Sequence, residues 1–349
     1  MVDKNKKQLL VSLGEIFTAS LGTDSASEHD FQDLIERGRQ LIESAHIQNS
    51  WFTTDSVRQA IFAWSQSLQP GKIDQWLSSY NFENPKGNRV GVIAAGNIPL
   101  VGLHDLLCVL INGDQLKIKL SSKDQQLMQW AIECLITIEP ELQGAIEVSE
   151  NLKDINLLIA TGSDNSSRYF EYYFKEQKRL LRKNRTSVAV LNGTESAEDL
   201  VGLSEDVFTH FGLGCRNVTK VYVPRGYDFD PMFNAFFRFK EVINHNKYAN
   251  NYDYNKAVYL LNKIELVENG FLLLKEDEGL HSPVGVLFYS YYDQLEDVWD
   301  ILKENEDQIQ CKVGTVAGQD LVPFGKAQLP ELVDYADGVD TIEFLQQTS

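Results

Sequence analysis

The chain has 349 residues, of which 43% are hydrophobic, 11% aromatic and 23% charged. That is the mix of an ordinary folded protein of about two domains, and it excludes disordered, collagen-like and coiled-coil architectures. A formal net charge of −18 argues against a chain-wide footprint for nucleic acid or an anionic membrane, and residues 291–349 alone hold 13 acids against 3 bases.

The N-terminus opens with positive charge, but no continuous apolar stretch follows it. Leu9, Leu10, Leu13, Ile16 and Phe17 instead recur at helical spacing, which predicts an amphipathic helix rather than a signal peptide. No apolar run reaches the ~18 residues of a membrane-spanning helix, so no span is expected. Cys108, Cys134, Cys215 and Cys311 are too few and too scattered for a disulfide framework or a CxxC zinc site. No metal is expected, and the expected location is a reducing cytoplasm.

The first 88 residues or so read as mostly helical, with Trp51, Phe52, Ile61, Phe62, Trp64, Leu68, Trp76 and Leu77 as the buried set. From residue 89, short apolar runs alternate with amphipathic stretches. Strands are predicted at Val90–Ala95, Leu116–Leu120, Ala145–Val148, Ile155–Ala160 and Ser187–Leu191. Helices are predicted at Leu100–Ile111, Gln125–Ile138 and Ser166–Leu181. The alternation then restarts with a helix at Ala197–Phe211, a strand at Val218–Val223 and a Phe-rich helix at Pro231–Asn244. Strands at Ala257–Leu261 and Val284–Ser290 and a helix at Gln294–Glu304 follow. Two α/β units with largely parallel sheets result. The basic segment Lys175–Arg185 marks the division and reads as a solvated helix end that could also receive a phosphate. The expected domains are 1–189, 190–327 carrying the chemistry, and a tail over 328–349.

Four segments carry chemistry. Gly96-Asn97-Ile98-Pro99 follows the first strand, where Asn97 is either a helix cap or a donor to an oxyanion. A short strand ends in Lys119, Ser121 and Ser122. Thr161-Gly162-Ser163 follows the strand Ile155–Ala160, and small residues at a helix start suit a phosphate or ribose. Phe211-Gly212-Leu213-Gly214-Cys215-Arg216-Asn217 presents a cysteine flanked by a glycine and an arginine, a setting that favours a thiolate nucleophile. The other three cysteines read as small buried hydrophobes. His210 reads as a helix-surface residue, and His245 has no assigned role.

In this order the segments resemble the aldehyde dehydrogenase superfamily. Asn97-Ile98-Pro99 is similar to its Asn-Phe-Pro element. The stretch from Gly113 to Ser122 is similar to its Gly-Asn-x-Val-Val-x-Lys-Pro-Ser-Glu segment. Thr161–Ser163 matches its Thr-Gly-Ser, and Gly212–Cys215 its Gly-Gln-x-Cys loop. Ser282-Pro283-Val284 looks like the remnant of its Phe-Gly-Pro-Val. Asn49–Thr53, Trp76-Leu77, Pro323–Pro330 and Asp337–Asp340 extend the resemblance to the LuxC-type acyl-CoA reductases. The resemblance implies two Rossmann-like α/β domains behind a helical N-terminal segment, with the active site in the cleft between them. It implies Cys215 and Asn97 as catalytic residues, and Lys119, Ser121, Ser122, Thr161, Gly162 and Ser163 as cofactor-binding.

Three departures refine this picture. Dehydrogenases of the superfamily place a water-activating Glu before the nucleophile helix, and Val188–Thr194 holds no carboxylate there. Ser122 replaces the ribose-binding Glu, with Lys119 and Lys123 close by, which favours the 2′-phosphate of NADPH over NADH. The cofactor-contacting Glu before Phe-Gly-Pro-Val aligns at or beside Gly279, with Glu278 one residue off. The expected activity is NADPH-dependent reduction of an acyl-CoA, fatty acyl-CoA above all, to an aldehyde through an acyl-cysteine. Reduction of an acyl phosphate or acyl-carrier thioester, and a non-catalytic nucleotide-binding protein of this fold, are the alternatives. The resemblance also implies a homo-oligomer, paired through an extended segment for which Thr341–Leu345 is the candidate strand, and an acyl-activating partner enzyme upstream.

Overall fold

The computed structural model describes residues 3–22, 31–82, 87–162 and 164–347. The chain forms two compact units. One comprises the chain up to Asn184 together with the segment from Pro330; the other is Arg185–Leu329. The division therefore falls inside the basic segment, five residues before the expected 189/190 boundary. Residues from Pro330 onward rejoin the first unit instead of forming a separate tail.

In the first unit, helices α1 (Asp3–Ser20), α2 (Gln32–Gln48), α3 (Thr54–Ser67) and α4 (Pro70–Leu77) precede the sheet. The apolar stripe Leu9, Leu10, Leu13, Ile16 and Phe17 is buried, as its spacing predicts, and Phe17 stacks on Trp130 with ring centroids 5.0 Å apart. Of the predicted N-terminal core, Phe52, Ile61, Leu68 and Trp76 are buried, whereas Phe62 is exposed. The α/β part runs β1 (Arg89–Ile93), α5 (Leu103–Asn112), β2 (Gln115–Lys119), α6 (Gln125–Ile138), β3 (Ile146–Val148), β4 (Leu157–Thr161), α7 (Asp164–Tyr173) and β5 (Lys178–Arg182). These strands form one parallel sheet in the order β3-β2-β1-β4-β5. Gly113 ends α5 at φ +86, a left-handed turn that suits glycine and returns the chain directly into β2.

The second unit contains β6 (Thr186–Val190), α8 (Ala197–Phe208), β7 (Val218–Pro224), α9 (Asp230–Phe236), α10 (Asn246–Leu261), β8 (Val267–Glu268), β9 (Leu273–Glu276), β10 (Val286–Tyr292), α11 (Leu295–Glu304) and β11 (Ile309–Gly314). Its sheet order is β11-β6-β7-β10-β9-β8, parallel except for the β8–β9 pair. Helix α8 starts with a reciprocal cap: Ser196 Oγ accepts from the Asp199 N–H, and the Asp199 carboxylate accepts from the Ser196 N–H.

Four expectations change here. The predicted helix 166–181 ends at Tyr173, and its basic half is the edge strand β5. Alternate residues of β5 are buried, a period of two that the charges conceal. The predicted helix 231–244 passes into 3₁₀ turns from Phe237. The apolar run Ala257–Leu261 is the last turn of α10, since short apolar runs do not distinguish strand from helix. Residues 341–345 are not a strand for a neighbouring copy. They form helix α12 (Thr341–Gln346), capped by Asp340 accepting from the Glu343 N–H, with Ile342 and Leu345 in the core of the first unit.

Candidate active site

In an open parallel sheet, ligands bind beyond the carboxyl ends of the strands where the strand order reverses. In the first unit the chain steps outward from β1 to β2 and β3 and restarts on the other side at β4, so the reversal lies between β1 and β4. The register places Ile93 opposite both Lys119 and Ala160. Asn97, the Lys119–Ser122 segment and Thr161-Gly162 therefore share one sheet edge. Ser163 lies outside the described residues.

Helix α5 starts at Leu103 with Gly102 at its cap position, so Asn97 is not its cap. Asn97 is instead exposed in the turn that follows β1. That turn is held from the β2 side. A Cβ at Gly96 would lie 2.4 Å from Ser121 Oγ, so only glycine permits this approach. Leu100 adopts φ +58, and its N–H donates to Asp124 Oδ2 at 2.8 Å. Asp124 is buried, its other oxygen has no hydrogen-bond partner, and burial pushes its carboxyl well above the usual range. Lys119 Nζ lies 3.2 Å from the Glu150 carboxylate, and Ser122 and Lys123 are exposed. This small-residue edge at the strand-order reversal, with lysines beside it, is where a sheet of this kind can receive a ligand.

Half of the basic segment proposed for phosphate serves structure. Arg182 is buried, pairs with Asp105 at 2.5 Å and also donates to Thr341 Oγ1 and the Ala336 carbonyl. Arg179 donates to the carbonyls of Phe174, Lys175 and Gln177, and Arg185 to those of Glu306 and Ile309.

Cys215 belongs to the second unit, in the loop between α8 and β7. It is the one cysteine of the four that is not buried. Burial pushes the thiols of Cys108 and Cys134 far up, which disqualifies both as thiolates. Before it, His210, Phe211 and Gly212 adopt φ of +53, +59 and +77 in succession. Left-handed non-glycine residues cost energy, and they cluster at functional sites. His210 is buried in this turn rather than on a helix surface, and burial lowers it to about 4, so it is neutral at physiological pH. His245 caps α10, its Nδ1 accepting from the Tyr248 N–H, and its ring lies 4.6 Å from that of Phe211.

Asn217 braces the loop. Its buried side chain accepts from the Gly214 N–H at 2.8 Å and donates to the carbonyls of Asp206, Val207 and Thr209 at the end of α8. The Asn217 N–H also donates to the Gly214 carbonyl at 3.1 Å. In a trans peptide the N–H points opposite to the carbonyl, so this bond fixes the direction of the Cys215 N–H. Ser187 Oγ donates to the Cys215 carbonyl at 3.0 Å and lies 2.9 Å from Cys311 Sγ. A narrow crevice beside the loop is walled by Phe208, Phe211 and Gly212 and by residues 282–286. Among the described residues, no three His, Cys, Asp or Glu side chains group as metal ligands, and no helix is long and apolar enough to cross a membrane.

The sequence reading named Asn217 only as part of the cysteine segment and missed Asp206 and Lys220. Both of these carried a signal, because Asp206 interrupts the apolar face of α8 and Lys220 sits in the middle of an apolar strand. Asp206 is buried and accepts from the N–H groups of Gly325 and Ala327, tying the 325–327 loop to α8. Burial pushes its carboxyl up to about 7, against the pull of those two donors and of Arg216. In the unfolded chain it titrates near 3.8. Between these values the native state holds a proton that the unfolded state has lost. The contribution of Asp206 to stability is therefore full below pH ~4, falls as pH rises to about 7 and is flat above. Thermal unfolding of the parent and Asp206→Asn across this range is expected to show a difference in Tm that shrinks with rising pH. A pH-independent difference would refute the assignment. Asp124 drops out of the comparison because both proteins carry it.

No protein-family model matches the sequence, and no curated protein matches it. Solved structures do match. Aldehyde dehydrogenase 21 from Physcomitrella patens, solved with succinate, is 13% identical with a TM-score of 0.62, covering 88% of this chain and 74% of that one. An NAD-dependent aldehyde dehydrogenase from Sinorhizobium meliloti is 10% identical with a TM-score of 0.64, covering 94% and 72%. A Mycobacterium tuberculosis aldehyde dehydrogenase in complex with NAD+ is 15% identical with a TM-score of 0.58, covering 88% and 72%. The chain thus has the aldehyde dehydrogenase fold, behind a helical N-terminal segment.

Proposed function

We propose that this chain reduces an activated acyl group, an acyl-CoA thioester, to the aldehyde through a covalent acyl-Cys215. The observation that carries this reading is Cys215 itself, the one cysteine that is not buried, on a strained loop whose peptide direction is set by Asn217. Cys215 Sγ attacks the thioester carbonyl, with the Cys215 N–H as a donor to the developing oxyanion. The bond to the CoA sulfur breaks, CoA leaves as the thiol, and an acyl-cysteine thioester remains. A bound nicotinamide supplies the hydride for the reductive half of the reaction. Breaking the bond between carbon and Cys215 Sγ then releases the aldehyde and restores the thiolate.

Water is a poor competitor in this scheme. The end of β6 offers no carboxylate, and the nearest acid in sequence, Glu195, is engaged in its own turn, accepting from the N–H groups of Asn192 and Gly193. That supports acyl transfer and reduction over oxidation of an aldehyde to an acid. Lys119, Ser121, Ser122, Thr161, Gly162 and Ser163 are assigned to the dinucleotide. The exposed Ser122 beside Lys119 and Lys123 favours NADPH, whose additional phosphate a carboxylate would repel.

The test is oxidation of NADPH and of NADH by the full chain with acyl-CoAs of increasing length, an acyl phosphate and an acyl-carrier thioester, with the aldehyde assayed directly. NADPH-dependent aldehyde formation from an acyl-CoA is the expected result. No turnover with any acyl donor, or conversion of an aldehyde to the free acid without a thiol acceptor, would overturn the reading.

A further inference from the structure

Lys220 lies in the interior of β7, five residues after Cys215, with its side chain wholly buried. A buried ammonium is costly unless it is paired and fully hydrogen-bonded, and a leucine or methionine would fill the same space at less cost. Its partners are specific. Nζ donates to the Asp277 carbonyl, just past the end of β9, and to Ser290 Oγ on β10 at 2.5 Å. Ser290 Oγ donates in turn to the same Asp277 carbonyl at 3.1 Å. Two donors from neighbouring strands thus converge on one backbone oxygen.

The segment that begins at Asp277 is held at further points. Thr219, next to Lys220 on β7, donates to the Leu280 carbonyl at 2.6 Å. The Asp277 carboxylate pairs with Lys275 through one oxygen and accepts from the Gly279 N–H through the other. Ser282 Oγ donates to the Val286 carbonyl at 2.7 Å. Glu276, Asp277 and Glu278 supply negative charge around the buried cation, whose Nζ also lies 5.2 Å from the Tyr222 ring centroid. Burial lowers the ammonium to about 8 while the three acids pull it back up, so it remains largely charged at neutral pH. The segment leads into Ser282–Val286, one wall of the crevice whose other wall is Phe211 and Gly212 of the nucleophile loop. The strand that leaves Cys215 therefore grips the polypeptide that faces Cys215's own loop.

We propose that Lys220 is a positioning residue for the acyl donor, a buried cation that fixes the 277–282 segment and with it the crevice wall opposite the nucleophile loop. This rests on the acyl-transfer reading above for its consequence in catalysis, but not for the anchoring itself. Two measurements separate them. Backbone hydrogen exchange on the full chain without substrate is expected to show the 278–282 amides at least about tenfold less protected in Lys220→Met than in the parent. That is the factor expected from the loss of a charged hydrogen bond. Steady-state kinetics with an acyl-CoA are expected to show its KM raised about tenfold with kcat within about twofold, since a wall binds ground and transition states alike.

Lys220→Gln, which keeps a donor, is expected to restore part of both effects and provides a second variant if the methionine protein fails to fold. Unchanged protection of 278–282 in a folded variant overturns the anchoring. Loosened amides with an unchanged acyl-donor KM, or with kcat lowered as much as that KM is raised, overturn the positioning role. A parent that turns over no acyl donor overturns the function reading instead, and the exchange result still decides the anchoring.

Discussion

Replacing Cys215 with alanine is expected to abolish a covalent acyl adduct and to lower turnover of any acyl donor by at least about a thousandfold. The reaction proposed has no route around the thiol. Cys215 Sγ forms the only bond to the acyl carbon, and loss of a nucleophile removes the covalent path rather than slowing it. The other cysteines cannot replace it, because Cys108, Cys134 and Cys311 are buried, and two of them have thiols held far above the range where a thiolate forms. The loop itself should survive the substitution. Its clamps are Asn217, through its side chain and its N–H, and the Ser187 hydroxyl, and all of them engage backbone atoms that alanine retains. Folding is therefore expected to be unaffected, and the loss of activity would be chemical. Intact-protein mass spectrometry after mixing with an acyl-CoA in the absence of nicotinamide is the direct measurement. The parent should gain one acyl mass, mapped by peptide analysis to Cys215, and the variant none. An adduct on another cysteine, or turnover retained in Cys215→Ala, would remove the mechanism.

Arg182→Met is expected to be the most destabilising single change outside the apolar core, at about 3–5 kcal/mol, the usual cost of removing one partner of a buried ion pair. Arg182 extends from the edge strand β5 into the interior. There it meets Asp105 near the start of α5, Thr341 at the start of α12 and the Ala336 carbonyl. Its removal leaves Asp105 buried with an uncompensated charge and releases two contacts that hold the C-terminal segment to the first unit. A fall in the Tm of that unit on the order of 10 °C follows from the size of the unit. Proteolytic cleavage between 336 and 341 should appear first. The double variant Asp105→Leu/Arg182→Met is expected to recover much of the loss, because the pair is removed whole and neither charge is stranded. A double variant as unstable as the sum of the two single changes would show that the pair is not the cause.

The β/α alternation was legible in the sequence because its signal is local. Parallel strands buried on both faces read as short apolar runs, and amphipathic helices read by their period. Helix α6 falls on the predicted residues, and β1, β2, β4, β6 and β7 fall within two residues of theirs. The errors share a cause. In β5, and over 257–261 and 341–345, the local pattern allows helix and strand alike, and the choice is made by what each segment packs against. Helix α12 is a helix because Asp340 caps it and because Ile342 and Leu345 enter the core built by residues far earlier in the chain.

The site divides in the same way. Glycine spacing and residue order pointed to Asn97 and Cys215 because a tight turn or a close approach constrains the residue type wherever it occurs. The buried polar groups that brace the surrounding segments were decided by tertiary structure alone. Asp124 reaches Leu100, Asp206 reaches the 325–327 loop, and Lys220 reaches Asp277 across β10. Each is a polar group whose burial is stable only because a partner 24 to 121 residues away in the chain satisfies it. The sequence by itself determined which residues could do chemistry and the alternation that carries them. Only the tertiary structure decided which buried polar groups find partners, because hydrogen bonds across that many residues form only after the chain has packed.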